Sequence, residues 1–288
     1  MTYLETIKQA EAEKKAIGHF NISNIEGFHA VIESARGLDL PVIIGVSEGE
    51  RKFIGVKQVK ALVDSAKAEG RPVWLNADHT YSFDGVKEVV DAGFDSVIFD
   101  GSNLELEENI KITKQCVDYA KDKNPDILIE GEIGYIGTSS KVLEEIPAEV
   151  VAAGKAAVTP EIAKQYVEAT GVDLLSPAVG NIHGMLKHEH NPKLKIELIK
   201  EIRAAAGVPL VLHGGSGITD DDFRAAIVAG ISLVHINTEI RVAFQNALKQ
   251  TLQENPDEIA PYRLLAPAVS AMEAVITKRL KLFAGKNV

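Results

Sequence analysis

A closed (β/α)8 barrel is the fold this sequence predicts, and three observations carry that expectation. Short apolar, β-branched runs alternate with longer amphipathic stretches from one end of the chain to the other, the pattern of βα units around a parallel sheet. Eight such runs occur, each followed by a helical stretch. The length of 288 residues suits one barrel of this kind,. A doubly wound α/β sheet is the alternative that the same alternation allows.

Taken in order, Leu4–Lys15 is an extra helix ahead of the first strand. Strands are expected at Ile17–Ile22, Pro41–Val46, Pro72–Ala77, Ser96–Asp100, Ile127–Glu132, Leu174–Val179, Pro209–His213 and Leu233–Asn237. Most show little polar alternation, which implies burial on both faces. Helices are expected at Ile25–Arg36, Val56–Ala68, Phe83–Ala92, Leu104–Lys121, Pro160–Ala169, Pro192–Ala205, Asp220–Ala229 and Arg241–Gln253. Pro160 suits a first helical position with Thr159 as its cap,. Tyr135–Thr159 fits no strand or helix and reads as a long loop and candidate lid,. Ala268–Phe283 is a basic helix with no strand left to serve, expected to pack outside the barrel or against another subunit. Residues 1–288 thus read as one domain, with 135–159 as the lid and 254–288 as a C-terminal helical extension; no internal repeat or linker divides them,.

Hydrophobic residues make up 45% of the chain and charged residues 25%, which excludes a disordered or collagen-like protein,. The single cysteine, Cys116, excludes an internal disulfide framework and a multi-cysteine zinc ribbon, so a reducing, cytoplasmic location is expected,. No apolar run is long enough to span a membrane, and Met1–Glu5 lacks the start of a signal peptide,. With 31 Lys plus Arg against 41 Asp plus Glu, the net charge of −10 opposes nonspecific nucleic-acid binding,. An anionic ligand must therefore be held by local groups.

In such a barrel the chemistry sits at the carboxyl ends of the strands. Of the eight histidines, His79, His183 and His213 close strands there, whereas His19 and His235 lie inside strands. Three imidazoles with an open position match a catalytic zinc site; separately, each could be a hydrogen-bonded rim residue. Asp78 precedes His79, so alternation sends its side chain elsewhere in the mouth, where it suits a proton donor; capping of the helix near Ser82 is the bland alternative. The tract His213-Gly214-Gly215-Ser216-Gly217, with Asn237-Thr238-Glu239 at the start of the last barrel helix and Lys187, suits a phosphate,.

At these positions the sequence resembles the class II, metal-dependent fructose-bisphosphate aldolases and the related tagatose-bisphosphate aldolases, from Tyr3 to about Gln250. The resemblance rests on Asp78-His79, Asp100-Gly101-Ser102 with Glu108-Asn109, and Glu130-Gly131-Glu132-Ile133-Gly134. It continues through Gly180-Asn181-Ile182-His183-Gly184 with Lys187, Pro209 to Gly217, and Asn237-Thr238-Glu239. It implies a zinc-dependent aldehyde-lyase of glycolysis and gluconeogenesis that reversibly cleaves fructose 1,6-bisphosphate to dihydroxyacetone phosphate and glyceraldehyde 3-phosphate. His79, His183 and His213 would bind Zn2+, with Glu132 as an alternative ligand, and Asp78 would protonate the aldehyde oxygen. Gly184, Lys187, Gly214, Ser216 and Thr238 would hold the triose phosphate, and Asn21 and Ser47 would line the cleft. Co2+ or Fe2+ also suits imidazole ligands. A monovalent cation near the phosphate belongs to the same expectation, and the spare C-terminal helix suggests a homodimer or higher assembly.

Three positions depart from the family pattern. Asn76-Ala77-Asp78-His79-Thr80 replaces His-x-Asp-His-Gly, the glycine-rich acidic lid is replaced by Gly137-Thr138-Ser139-Ser140-Lys141, and His235 stands where an Asn is usual. The lid carboxylate is therefore unassigned, with Glu144, Glu145 and His235 as candidates for proton transfer. Tagatose 1,6-bisphosphate or another ketose phosphate is the alternative substrate, and a phosphate-binding scaffold barrel the alternative of a different class.

Overall fold

The chain opens on α1 (Tyr3–Ala12), started by a capping box in which the Glu5 amide donates to Thr2 Oγ1 and the Thr2 amide donates to Glu5 Oε2,. The computed structural model describes residues 1–138, 140–153 and 158–287. After α1 come β1 (Ile17–Asn21), α2 (Ile25–Leu38), β2 (Val42–Val46), α3 (Glu48–Ile54), α4 (Val56–Ala68), β3 (Val73–Thr80), α5 (Phe83–Asp91) and β4 (Ser96–Phe99). The middle of the chain forms α6 (Leu106–Lys123), β5 (Leu128–Ile133), β6 (Val142–Leu143), α7 (Ala148–Ala153), α8 (Pro160–Thr170), β7 (Leu174–Pro177) and β8 (Met185–Leu186). The remainder forms α9 (Ile196–Ala206), β9 (Leu210–Leu212), α10 (Asp220–Ala229), β10 (Ile231–Ile236), α11 (Thr238–Glu254) and α12 (Pro261–Phe283).

Eight strands close into a parallel barrel in the order β1-β10-β9-β7-β5-β4-β3-β2. Closure runs through β1, which pairs Ile17 with Leu233 and His19 with His235 on one side and His19 with Ile43 on the other. An open doubly wound sheet is thereby excluded. The barrel helices bury stripes such as Val59, Val63 and Ala66 of α4 and Ile199, Ile202 and Ala206 of α9, the spacing of a 3.6-residue period.

Inside the barrel the pleat makes layers. Ile17, Ile43, Leu128, Leu174, Val211 and Leu233 form an apolar cluster with Tyr3 and Ile7 of α1, and Tyr3 stacks on Trp74 at 4.7 Å between ring centroids. Helix α1 thus plugs the amino-terminal end of the barrel. Two residues further along the same strands stand His19, Gly45, Asn76, Glu130, Ser176, His213 and His235, so polarity rises toward the carboxyl ends.

The expected elements are present with shifted ends and four additions. Strand β3 extends through Thr80, so Asp78 and His79 lie on it rather than after it. Helix α3 is added between β2 and α4, where Ser47 and Glu50 form a capping box and Gly55 separates the two helices. The segment 135–159 is not free of regular structure: it carries β6 and α7. Its residues 139 and 154–157, which include Ser139 of the lid motif, lie outside the described residues. Among the described residues strand β6 pairs only with β8, Val142 with Met185 and Leu143 with Leu186, a nonlocal match that no local pattern reveals. Helix α9 starts at Ile196, not Pro192, because Asn191 holds the preceding turn by donating to the Gly184 and Ser216 carbonyls. Helix α12 starts at Pro261, a residue suited to the first turn,, and packs outside the barrel against α2, α11 and β1.

Candidate metal centre and catalytic pocket

The site begins at an irregularity in β3. Pairing with β4 shifts register between Ala77 and Thr80, and His79 adopts φ 41°, a conformation costly for a side chain other than glycine. Such a bulge re-aims successive side chains. Asp78 turns toward β1 and β10, where Asn21 Nδ2 donates to its Oδ2 at 2.8 Å and His235 Nδ1 lies 3.2 Å from its Oδ1. His79 turns toward β4, β5 and β9, with Nδ1 2.8 Å from Asp100 Oδ2. Ser82, not Asp78, caps α5.

His79, His183 and His213 present ring nitrogens within 4.8 Å of one another. His79 Nε2 faces His213 Nδ1 at 3.1 Å, and each ring has its other nitrogen engaged. His79 Nδ1 meets Asp100, His213 Nε2 lies 2.8 Å from Glu130 Oε1, and His183 Nδ1 contacts the Gly137 carbonyl. Carboxylates and carbonyls behind imidazoles fix ring orientation and increase ligand basicity, as in built metal sites. Two imidazole nitrogens facing each other need a cation or a proton between them, so the donor set suits a borderline metal ion.

Electrostatics agree. Burial disfavours a charged His79, but Asp78, the hydrogen bond to Asp100 and Glu132 prevail and raise it to about 10. Burial, with the charge of His79, lowers His183 to about 4; burial and the charges of His235 and His79 hold His213 well below its usual value. Burial also opposes the Asp78 carboxylate, yet His79 and the hydrogen bond and charge of His235 hold it well below the usual carboxylate range. Glu130 and Glu132 are pushed well up, first by burial and then by neighbouring carboxylates. Glu132 Oε2 lies 3.6 Å from His79 Nδ1, on the Asp100 side of that ring, and is a buried atom with no hydrogen-bond partner among the described residues.

Beneath this cluster, His19 and His235 stack at 3.4 Å with an interplanar angle of 2°. Asn76 Nδ2 donates to Ser96 Oγ at 2.8 Å, and its Oδ1 lies 3.1 Å from His19 Nε2. Burial and the charge of His235 lower His19 to about 3 against the pull of Asp78. Gly45 makes room for this ring, since a Cβ there would lie 1.9 Å from His19 Cε1. Asn21 also donates to Glu50 Oε2 at 2.9 Å; Ser47 donates to the same oxygen, and Arg241 pairs with Glu50 Oε1 at 2.6 Å.

Opposite Asp78, the loop after β9 folds against the loop after β7. Gly214 has φ 62°, and a Cβ there would lie 2.2 Å from the Ile182 carbonyl oxygen. Ser216 accepts from the Glu239 amide at 3.1 Å, and Thr238 opens α11. Gly184, Gly214, Gly215, Ser216, Asn237 and Thr238 line one small cavity with Asn21, Asp78, His79, His183, His213 and His235. Backbone amides and a helix start on its wall suit an anion.

Lys187, Glu144, Glu145 and Ser47 do not line this cavity. Lys187 pairs with Glu144 at 2.6 Å on the exposed surface, Glu145 is exposed, and Ser47 supports Glu50. Asp100, Glu130 and His19 contact His79, His213 and His235 directly, and Asn76 reaches them only through His19; none of the four has a role assigned from the sequence. The signal for His19, Asn76 and Glu130 is a polar side chain inside an otherwise apolar strand, at the same parity as Asn21, Asp78 and Glu132 two residues further on,.

Comparison with known proteins gives a consistent result. The family described as fructose-bisphosphate aldolase class-II matches residues 1–288. The fructose-bisphosphate aldolase of Geobacillus stearothermophilus is 36% identical over 284 residues, covering 97% of this chain and 95% of the relative. That of Staphylococcus epidermidis is 35% identical over 288 residues, covering 98% and 96%. Among solved structures, the YdjI aldolase of Escherichia coli K12 superposes with a TM-score of 0.79 at 30% identity, covering 98% and 96%.

Proposed function

The chain belongs to the class II fructose-bisphosphate aldolase family, and on that premise we propose that it reversibly cleaves fructose 1,6-bisphosphate with His79, His183 and His213 holding Zn2+. The observation that carries the proposal is the engagement of each imidazole's second nitrogen by Asp100, Gly137 and Glu130, which leaves three nitrogens converging. When bound, the ion supplies Lewis acidity for the charge that develops on the substrate carbonyl as the C3–C4 bond breaks, without a Schiff-base lysine. Glu132 is the reserve ligand, and Co2+ or Fe2+ fits the same donors.

The chain's own groups bind, orient and move protons. Gly184, Gly214, Ser216, Asn237 and Thr238 hold the triose phosphate and so fix the reacting carbons,. Asp78, oriented by Asn21 and His235, takes the C4 hydroxyl proton on cleavage and returns it to the aldehyde oxygen on condensation,. His235 is the proton-transfer candidate that proximity favours, because it touches Asp78 and lines the cavity while Glu144 and Glu145 stand outside. Residues 135–159 serve as a lid that must shift for Lys187 to leave Glu144 and meet a phosphate. A monovalent cation beside the phosphate, assembly as a homodimer or higher oligomer and a cytoplasmic location complete the reading; no described helix is long and apolar enough to cross a membrane.

Tagatose 1,6-bisphosphate is a second reading, favoured by the contact of His19, Asn76 and His235 directly under Asp78. Steady-state cleavage of both sugars, as purified, after chelation and after Zn2+ is restored, decides. Activity lost on chelation and regained with Zn2+ is expected, and the ratio of the two kcat/KM values names the sugar. Full activity after removal of every metal would overturn the proposal.

A further inference from the structure

The C-terminal helix carries a buried cation aimed at the back of the anion pocket. Arg279 of α12 is 7% exposed and lies over the Phe223 ring at 4.9 Å. Its Nε and Nη2 donate to Glu239 Oε2 and Oε1 at 2.9 and 2.6 Å, and its Nη1 donates to Asp220 Oδ1 at 2.8 Å. Asp220 and Glu239 stand in the first turns of α10 and α11, the two helices that follow the glycine-rich loop and Asn237. Glu239 reaches the loop twice: Oε1 accepts from the Gly217 amide at 3.0 Å, and its own amide donates to Ser216 Oγ at 3.1 Å.

This arrangement sets a problem that Arg279 solves. An acidic side chain in a helix's first turn is favourable while that end is vacant, but it competes with an anion for the same amides and dipole. Glu239 stands directly behind the pocket, with Thr238 as its neighbour and its carboxylate on the Gly217 amide. Burial disfavours the Arg279 cation, yet hydrogen bonding and attraction from Glu239 and Asp220 raise its pKa. A permanently charged, bidentate guanidinium cancels the carboxylate and fixes its plane, which a point-charge ammonium does less well.

We propose that Arg279 is a positioning residue for substrate phosphate: by clamping Glu239 and Asp220 it neutralises the charge behind the Ser216–Thr238 pocket and holds the Gly217 amide and Ser216 hydroxyl in register. The inference rests on the phosphate reading of that pocket, and α12 becomes part of the binding apparatus rather than a distal brace.

The test uses the full-length, metal-loaded protein and inorganic phosphate as a competitor of cleavage. Arg279→Met is expected to raise KM and the inhibition constant of phosphate together by about tenfold, with kcat and bound metal little changed. Arg279→Lys, which keeps charge without the fork, is expected to lie between, at about threefold. Removing the uncompensated carboxylate in Arg279→Met/Glu239→Gln is expected to recover most of the phosphate affinity, a rescue that mere packing damage would not give. Should Arg279→Met not fold, Arg279→Lys and Glu239→Gln, alone and combined, measure the same coupling. Unchanged KM and phosphate inhibition in a folded Arg279→Met, or no rescue by Glu239→Gln, would overturn the inference. Wild-type protein indifferent to phosphate, with Thr238→Ala also silent in KM, would instead overturn the phosphate reading beneath it.

Discussion

Two layers of the same barrel interior, one residue pair apart along each strand, differ in almost every physical respect. The lower layer of Ile17, Ile43, Leu128, Leu174, Val211 and Leu233 is sealed by Tyr3 and Ile7 and carries no group that needs a partner. The upper layer of His19, Asn76, Glu130, His213 and His235 is equally buried, yet each side chain needs a hydrogen bond or a charge. Buried polar groups left unpaired are costly. The two buried side-chain atoms without a partner among the described residues, His19 Nδ1 and Glu132 Oε2, both lie at or above the upper layer. Stability is thus concentrated below and chemistry above, and the strands supply one to the other.

Substitutions can break that division. The largest effect is expected from Asp78→Asn, which keeps shape while removing the proton carrier: kcat should fall by roughly a hundredfold to ten-thousandfold with bound metal retained. A variant with nearly normal kcat in steady-state assays would remove Asp78 from the chemistry. Glu130→Gln tests the support behind His213; metal affinity, measured by competition with a chelator, should drop by about 10- to 100-fold. Unchanged affinity would make Glu130 a bystander. In the lower layer, Leu233→Ala should cost about 2–5 kcal/mol in chemical denaturation while kcat at a permissive temperature changes little. Gly45→Ala sharpens the boundary: its Cβ would strike the His19 ring, so a loss of about 1–3 kcal/mol should come with a drop in kcat as the His19–His235 stack shifts.

The difference between layers also explains what could be read from the sequence. Barrel strands are visible in the sequence because an apolar run buried on both faces has a strong local signature, and His79 and His213 stand out at the carboxyl ends of such runs, whereas His183 lies not at a strand end but in the loop between β7 and β8. Helix α7, with six residues, and the β6–β8 pairing are too short for periodicity to register. Asp78 and His79 diverge through a register shift and a positive φ, which belong to pairing with β4 and not to either residue. The contact between His19, Asn76 and His235 joins strands far apart in sequence, so only closure of the barrel brings them together. Lys187 has the type and position of a phosphate ligand, and its pairing with Glu144, directly after β6, joins loops that no local pattern links.

Strand β9 and the residue directly after it offer the sharpest single comparison, because Val211 and His213 are two residues apart and belong to opposite layers. Bound metal, fructose 1,6-bisphosphate cleavage and denaturation midpoint would be measured for Val211→Ala and His213→Ala beside the parent protein. The account predicts that Val211→Ala loses stability but keeps stoichiometric metal and near-normal kcat, whereas His213→Ala stays folded and loses both metal and cleavage. Full metal occupancy and activity in His213→Ala would contradict it.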